Sequence, residues 1–173
     1  MAIHDSPVSL ADIAAAGVAL FPAEAASIVR EVLLRATRGD LPGVPSVAVI
    51  RLHPAGEISV EGPIAADDRA LLRAGDLLEG LLPPFDAPPE WRVPGALRLV
   101  VARALGSIDL PPYASVEEFA GALERFSAPD LSDAVRAVVS RYGPAAAALQ
   151  EARDRAPEPA PVPAPAVAGQ AEG

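Results

Sequence analysis

"SVAVIRLHPAGEISVE", residues 46 to 61, contains two apolar, β-branched runs separated by a turn that carries proline and glycine. Residues 46 to 52 and 57 to 61 predict two short strands, and His53-Pro54-Ala55-Gly56 predicts the turn of a β-hairpin. An isolated hairpin is marginally stable in water, so we expect it to lie against the helix that precedes it.

The helix before the hairpin begins at Pro22, since proline is favoured in the first turn of a helix. Its apolar residues recur at helical spacing, and its charged residues lie off that stripe. The stripe comprises Ala25, Ile28, Val29, Val32, Leu33 and Ala36, and the charged residues are Glu24, Arg30, Glu31 and Arg35. A shorter helix is predicted over residues 9 to 16, with Ser9 as N-cap and Gly17 at its end.

The helix after the hairpin, residues 66 to 82, is the most hydrophobic of the chain. Gly75 lies inside it and costs about 1 kcal/mol relative to alanine unless a neighbour needs the close approach. Asp67 and Asp68 at its start have two interpretations. They cap the helix and favour its positive end, which we prefer, or they form a metal-binding cluster with Glu61.

Further helices follow a proline-rich loop over residues 83 to 89. Apolar spacing predicts a helix over residues 94 to 105, and Ser115 with Glu118 forms a capping box for the next one. Residues 131 to 142 and 145 to 155 predict two more helices, separated by Gly143-Pro144.

The proline-rich loop carries Phe85 and leads to the only tryptophan, Trp91, and to Arg92. Tryptophan and arginine are enriched among interface hot spots, so these three residues are our candidates for partner binding. In the other interpretation, both aromatic rings pack onto the helices as a small core of the loop itself. Both interpretations fit the sequence.

The chain of 173 residues predicts one domain, over residues 8 to 155, after a flexible N-terminus of residues 1 to 7. The fold class is mainly α with one small β-hairpin. Residues 156 to 173 are rich in alanine and proline and predict a disordered tail. This tail is a spacer or presents a polyproline helix to a groove.

The composition excludes several kinds of function. Cysteine is absent, so disulfides and thiolate nucleophiles are excluded, and His4 and His53 are too few for a histidine-based zinc site. A net charge of −9 without a basic stripe argues against nucleic acid as a partner.

The N-terminus has no basic cluster and the longest uncharged stretch is too short to span a bilayer, so we expect a cytoplasmic protein. The abundance of alanine, proline and arginine, without lysine or asparagine, suggests a bacterial source.

Several stretches resemble the C-terminal lobe of a protein kinase. The strongest are "VPGALRLVVARALG" and "PYASVEEFAGALERF", residues 93 to 106 and 112 to 126, which resemble the end of bacterial Ser/Thr kinase domains. "AGDLLEGLL", residues 74 to 82, is similar to the buried central helix of that lobe, and Gly75 falls on the family's glycine. "PSVAVIRLHPAGEISV", residues 45 to 60, is similar to the hairpin after the catalytic loop.

The family's catalytic groups do not recur at the matching positions. The His-Arg-Asp motif would fall near residues 38 to 42, where the resemblance implies Asp40 as its remnant, and the metal-binding asparagine would fall near Val47. The Asp-Phe-Gly motif would fall on residues 62 to 64, with Glu61 one place early. The phosphate-binding lysine of such enzymes has no counterpart, because the chain contains no lysine.

This combination most closely resembles the KIND type of module, the kinase non-catalytic C-lobe domain, which binds other proteins. The resemblance implies a pseudokinase-like adaptor or regulatory module with no catalytic residues, metal or cofactor, and with an unidentified protein partner. The alternative is a divergent kinase that binds nucleotide or transfers phosphate with a partner's N-lobe. A third hypothesis is an assembly protein that is linked through its tail.

Overall fold

The computed structural model describes residues 6 to 66 and 68 to 155, and the side chains of 149, 150 and 153 to 155 are not described. The predicted tail and most of the predicted flexible N-terminus lie outside this part of the chain. The described residues form six α-helices and a small antiparallel sheet, which confirms the mainly α fold. The helices are α1 Leu10–Ala15, α2 Pro22–Thr37, α3 Ala70–Leu81, α4 Gly95–Ala104, α5 Val116–Leu123 and α6 Leu131–Arg155. The strands are β1 Val8–Ser9, β2 Ile50–Leu52 and β3 Ile58–Val60, and 3₁₀ turns cover Pro89–Trp91 and Glu124–Phe126.

The predicted hairpin is present, with Ile50 opposite Val60 and Leu52 opposite Ile58. Both strands are shorter than predicted. Residues 47 to 49 form a turn instead of continuing the first strand, and the second strand lacks one predicted residue at each end. A third strand was not predicted: β1 pairs with β2 and makes the sheet order β1-β2-β3. Two residues are too few to show the alternation by which a strand is identified in sequence.

The hairpin is attached to two helices. Arg35 of α2 donates from Nη1 to the carbonyl of Ile58 over 2.7 Å, which places the hairpin on the preceding helix as expected. Arg136 of α6 donates to the carbonyl of Ala55 in the turn over 3.0 Å. Gly56 in that turn has a φ of +95°, a conformation that glycine adopts without strain.

Helix α2 lies at the centre and packs against α3, α5 and α6. Its predicted stripe is buried, except that Ala36 is only half-buried. Two polar residues, Glu24 and Ser27, are buried with the stripe. The hydroxyl of Ser27 donates to the Ala23 carbonyl and accepts from the N–H of Ala128, which ties α2 to the segment before α6.

Helix α3 begins at Ala70, so its N-cap is Arg69 and the predicted cap by Asp68 is wrong. Asp68 lies in a turn two residues before the first helical residue, and Asp67 lies outside the described residues. The close approach anticipated at Gly75 is present. A Cβ on Gly75 would lie 2.8 Å from Leu105 Cδ2 and 3.3 Å from Ala104 Cβ of the adjoining helix.

The two predicted C-terminal helices are one continuous helix, α6, with Pro144 inside it. Proline in a helix removes one backbone hydrogen bond, but Pro144 is exposed and is followed by four alanines, the best helix formers. The predicted cap of α5 is confirmed, since the Ser115 hydroxyl accepts from the Glu118 N–H over 3.1 Å. Within the described residues, no helix has both the length and the apolar character needed to cross a membrane.

Candidate functional site

A cleft of ≈ 520 Å³ lies between the start of α2, the start of α4 and the end of α5. It is lined by Phe21, Pro22, Ala23, Arg92, Pro94, Leu97, Arg125 and Phe126, and we call it the Phe21–Phe126 cleft. Six of these eight residues are apolar and two are arginines. An apolar recess with a few polar groups is the usual form of a binding site, and this volume lies in the usual range.

One wall of the cleft is supported by an aromatic stack. Phe21, the N-cap of α2, stacks on Trp91 with ring centroids 3.9 Å apart and an interplanar angle of 2°. The guanidinium carbon of Arg141 lies 5.2 Å from the Phe21 centroid and 5.7 Å from the Trp91 centroid. Trp91 is half-buried, so it packs within the protein and supports the cleft wall through Phe21.

A buried ion pair holds this stack in place. Glu24 is 7% exposed and binds Arg141 through both carboxylate oxygens, with distances of 3.0 Å from Nη1 to Oε1 and 2.5 Å from Nη2 to Oε2. Its Oε2 also accepts from the N–H of Phe21 over 2.8 Å. The expectation that Glu24 lies off the buried stripe is therefore wrong. Three hydrogen bonds, two of them to a guanidinium, compensate for the burial of the carboxylate.

Arg92 and Arg125 have no carboxylate partner among the described residues. Arg92 is exposed, and the guanidinium carbon of Arg125 lies 4.7 Å from the ring centroid of Phe126. Six other described arginines form ion pairs with carboxylates: Arg30, Arg35, Arg51, Arg103, Arg136 and Arg141. In a chain of net charge −9, two uncompensated guanidinium groups at one apolar cleft favour an anionic ligand group there.

Phe85 lies apart from this cleft. Its side chain is 83% exposed, and the guanidinium carbon of Arg98 lies 3.6 Å from its ring centroid. The three candidate partner-binding residues are therefore not brought together. Arg92 lines the cleft, Trp91 supports its wall, and Phe85 lies on Arg98 elsewhere on the surface.

A second cleft of ≈ 600 Å³ adjoins the first and shares Arg125 with it. Its other arginine, Arg103, is already engaged: Nε donates to the Pro111 carbonyl over 2.7 Å, and Nη2 lies 3.6 Å from Glu118 Oε1. The Arg103 guanidinium also lies 4.1 Å from the ring centroid of Tyr113. These contacts occupy Arg103, and Glu118 and Glu124 also line the second cleft, so it lacks the pair of unpartnered arginines that lines the first.

The hairpin carries a chain of polar contacts that sequence reasoning missed. His53 Nε2 lies 2.8 Å from Ser59 Oγ, which donates to Glu61 Oε1 over 3.3 Å. In a catalytic triad the acid binds the second nitrogen of the histidine, whereas here the carboxylate binds the hydroxyl. Neither cleft is lined by these residues. The arrangement is that of a surface hydrogen-bond network.

Two residues at or near positions where the resemblance places kinase motifs, Asp40 and Glu61, lie on the protein surface. Asp40 is exposed in the bend after α2, and its N–H donates to the carbonyl of Arg35. Glu61 is exposed, with Oε2 3.8 Å from Arg51 Nε. Across residues 6 to 66 and 68 to 155, no three histidine, aspartate or glutamate side chains cluster as metal ligands would. Asp67 of the acidic-cluster interpretation lies outside those ranges.

Comparisons with known proteins give no match: the chain matches no protein-family model and no curated protein. The kinase-lobe resemblance therefore stays a prediction from the residues quoted above. Sequence reasoning missed Phe21 and Arg125 as cleft residues, because their proximity depends on how α2 and α5 pack. Phe126 follows α5 in the chain and is half-buried at the cleft.

Proposed function

We propose that this chain is a non-catalytic protein-interaction module, and that it binds its partner in the Phe21–Phe126 cleft. The observation that carries this proposal is the pair of arginines without carboxylate partners, Arg92 and Arg125, beside a mainly apolar recess. Buried apolar contacts supply affinity at protein interfaces, and arginine supplies directed, charge-assisted hydrogen bonds. The stack of Phe21 on Trp91 keeps one wall in a fixed position, which lowers the entropic cost of binding.

The chemistry of the cleft specifies a class of partner segment. Phe21, Leu97 and Phe126 provide apolar contact surface, and the two guanidinium groups suit a carboxylate. The expected segment therefore carries small or medium apolar side chains with an acidic residue beside them.

We further propose that the module is related to the kinase C-lobe. The described elements follow the order that the resemblance implies: a long helix, a hairpin, an apolar helix with an inner glycine, and then a capped helix. Val47 occupies the position near which the family's metal-binding asparagine falls, and the chain has no lysine for the phosphates. An adaptor or regulatory role accounts for a chain that keeps this order of helices and strands but lacks the metal-binding asparagine and the phosphate-binding lysine.

The test of the interaction role is affinity capture from the native lysate with the full chain and with a truncation to residues 1 to 155. The hydrophobic core cluster lies between Leu10 and Val138, and the residues packed against it lie between Val8 and Tyr142, so the truncation keeps both. We expect a stoichiometric partner on both baits. A partner retained only by the full chain would assign the function to the tail, as the assembly-protein hypothesis predicts.

The kinase alternative is tested by calorimetric titration with ATP·Mg and by transfer of labelled phosphate. We expect no saturable nucleotide binding at sub-millimolar affinity. Phosphate transfer that is lost on Asp40→Ala would overturn the non-catalytic proposal.

A further inference from the structure

We propose that the chain's own C-terminal segment, residues 162 to 173, docks in the Phe21–Phe126 cleft and competes there with the partner. The competition rests on the proposed function, whereas the docking itself is argued from the cleft and the tail alone. The segment carries the features that the cleft calls for. It holds Val162, Pro163, Pro165 and Val167, with Glu172 as its acid and no cationic side chain.

The periodicity of this segment matches an apolar groove. Proline at alternate positions favours a polyproline II helix, which has three residues per turn. At that period Val162, Pro165 and Ala168 share one edge, and Pro163 and Ala166 share the neighbouring edge. Two adjacent edges are thus apolar, which suits the aromatic-lined grooves that bind such helices. Phe21 and Phe126 supply the aromatic rings here.

The charges of the two surfaces are complementary. Arg92 and Arg125 have no carboxylate partner among the described residues, and Glu172 supplies a carboxylate four residues beyond Ala168, where the apolar run ends. Most other described arginines are already paired. The cleft is therefore a site where an acid of the tail gains a guanidinium contact without breaking an existing ion pair.

The tail is long enough to return to the cleft. Helix α6 contacts Glu24 and Phe21 at Arg141 and then runs 14 residues further to Arg155, about 21 Å at the helical rise. A polyproline chain covers this distance in about seven residues, so the tail reaches the cleft from about residue 162 onward. Because the segment is tethered, its local concentration reaches the millimolar range, so even weak docking is populated.

The experiment uses a spin label on the full chain. The chain has no cysteine, so Gln170→Cys gives a single attachment site that leaves every proline, valine and acid of the tail in place. Trp91 is the only tryptophan, so its indole N–H gives one unambiguous NMR signal, and its ring stacks on the cleft wall. We expect a nitroxide at residue 170 to broaden that signal, compared with the reduced label.

Three further variants separate docking from random contact. Arg125→Gln removes one cleft charge and Glu172→Gln removes the acid of the tail, and each should cut the broadening by roughly twofold or more. Arg38→Gln is the matched control and should leave the broadening unchanged. Arg38 is an exposed arginine without a carboxylate partner among the described residues, and it caps the opposite end of α2.

Three results would overturn the proposal: no broadening in the parent chain, equal broadening in the Arg125 and Arg38 variants, or broadening that arises only between molecules. The last result is detected by mixing labelled chains with unlabelled, ¹⁵N-enriched chains, and it would assign the cleft to the tail of a second copy. None of these results affects capture of a partner by the cleft, so the proposed function is judged separately.

Discussion

At the scale of single residues, the contact between Glu24 and Arg141 has the largest structural consequence. The side chain of Glu24 is 9% exposed and that of Arg141 is 30% exposed, and the pair joins the first turn of α2 to the middle of α6. The same carboxylate accepts from the Phe21 N–H and so fixes the residue that forms the cleft wall. One ion pair therefore connects helix packing to the geometry of the candidate site.

We expect Glu24→Gln to lower the free energy of unfolding by about 2 kcal/mol, because Arg141 would lose its charged partner in a largely desolvated position. Glu61→Gln is the matched control. It removes the carboxylate of an exposed pair, 3.8 Å from Arg51, and should cost less than about 0.5 kcal/mol. Urea denaturation followed by Trp91 fluorescence measures both variants. Equal stability of the two would show that the buried pair contributes no more than an exposed one.

Sequence reasoning failed for Glu24 because its periodicity argument treats a charged residue as a surface residue. The burial of Glu24 depends on a partner 117 positions away, and no local pattern specifies that distance. The same limit applies to Arg92 and Arg125. Which arginines pair with carboxylates is decided by tertiary packing, so the unpaired ones could not be selected from the fourteen in the sequence.

At the scale of elements, the two glycines of α3 perform different roles. Gly75 is buried where α4 comes close, with Leu105 Cδ2 2.8 Å from the position of a Cβ. Gly80 is exposed, and no atom lies within 4 Å of the equivalent position. The helical backbone is the same at both, so the difference between them isolates the cost of the close approach.

Gly80→Ala should stabilise the protein by about 0.5–1 kcal/mol, because alanine has the higher helix propensity. Gly75→Ala should destabilise it by about 1 kcal/mol, since the clash with Leu105 exceeds that gain. Thermal unfolding of both variants measures the contrast, and the additional change Leu105→Ala should remove the clash at Gly75. The account of the α3–α4 contact would be wrong if Gly75→Ala stabilised the protein as much as Gly80→Ala.

The hairpin turn allows a second comparison of the same kind. A Cβ on Gly56 would lie 2.7 Å from the carbonyl oxygen of Ser132 in α6, and φ at Gly56 is +95°. Gly17 also has a positive φ, +69°, but no atom lies within 4 Å of its Cβ position. We expect Gly56→Ala to cost about 3 kcal/mol and Gly17→Ala about 1 kcal/mol, as measured by urea denaturation. Equal costs would mean that the turn does not pack tightly against α6.

Local signals predicted most elements of this fold. The caps at Ser9 and Ser115, the helix that starts at Pro22 and the turn at Gly56 were identified from short-range chemistry, and the structure contains each of them. The elements that were missed depend on context. β1 exists only because β2 pairs with it, and α6 continues through Pro144 because the alanines that follow favour a helix.

At the scale of the whole molecule, the described chain presents one apolar recess with two arginines that its own described carboxylates leave unpaired. The chain has a net charge of −9, so a recess that carries two arginines and no acidic side chain differs in charge from the protein as a whole. Charge at an interface sets specificity and the rate of association, so these two arginines should decide which segments bind. The proposed function depends on this claim.

Charge reversal in the cleft tests that claim most directly. The full chain and its variants Arg92→Glu, Arg125→Glu and Arg38→Glu are used as baits in parallel, and the captured partner is quantified for each. We predict that each cleft variant reduces capture by roughly tenfold, because a carboxylate that repels the acidic residue of the partner replaces the arginine that would bind it. Arg38→Glu should capture as much as the parent chain. Undiminished capture by both cleft variants would contradict the account and assign the interaction to another surface.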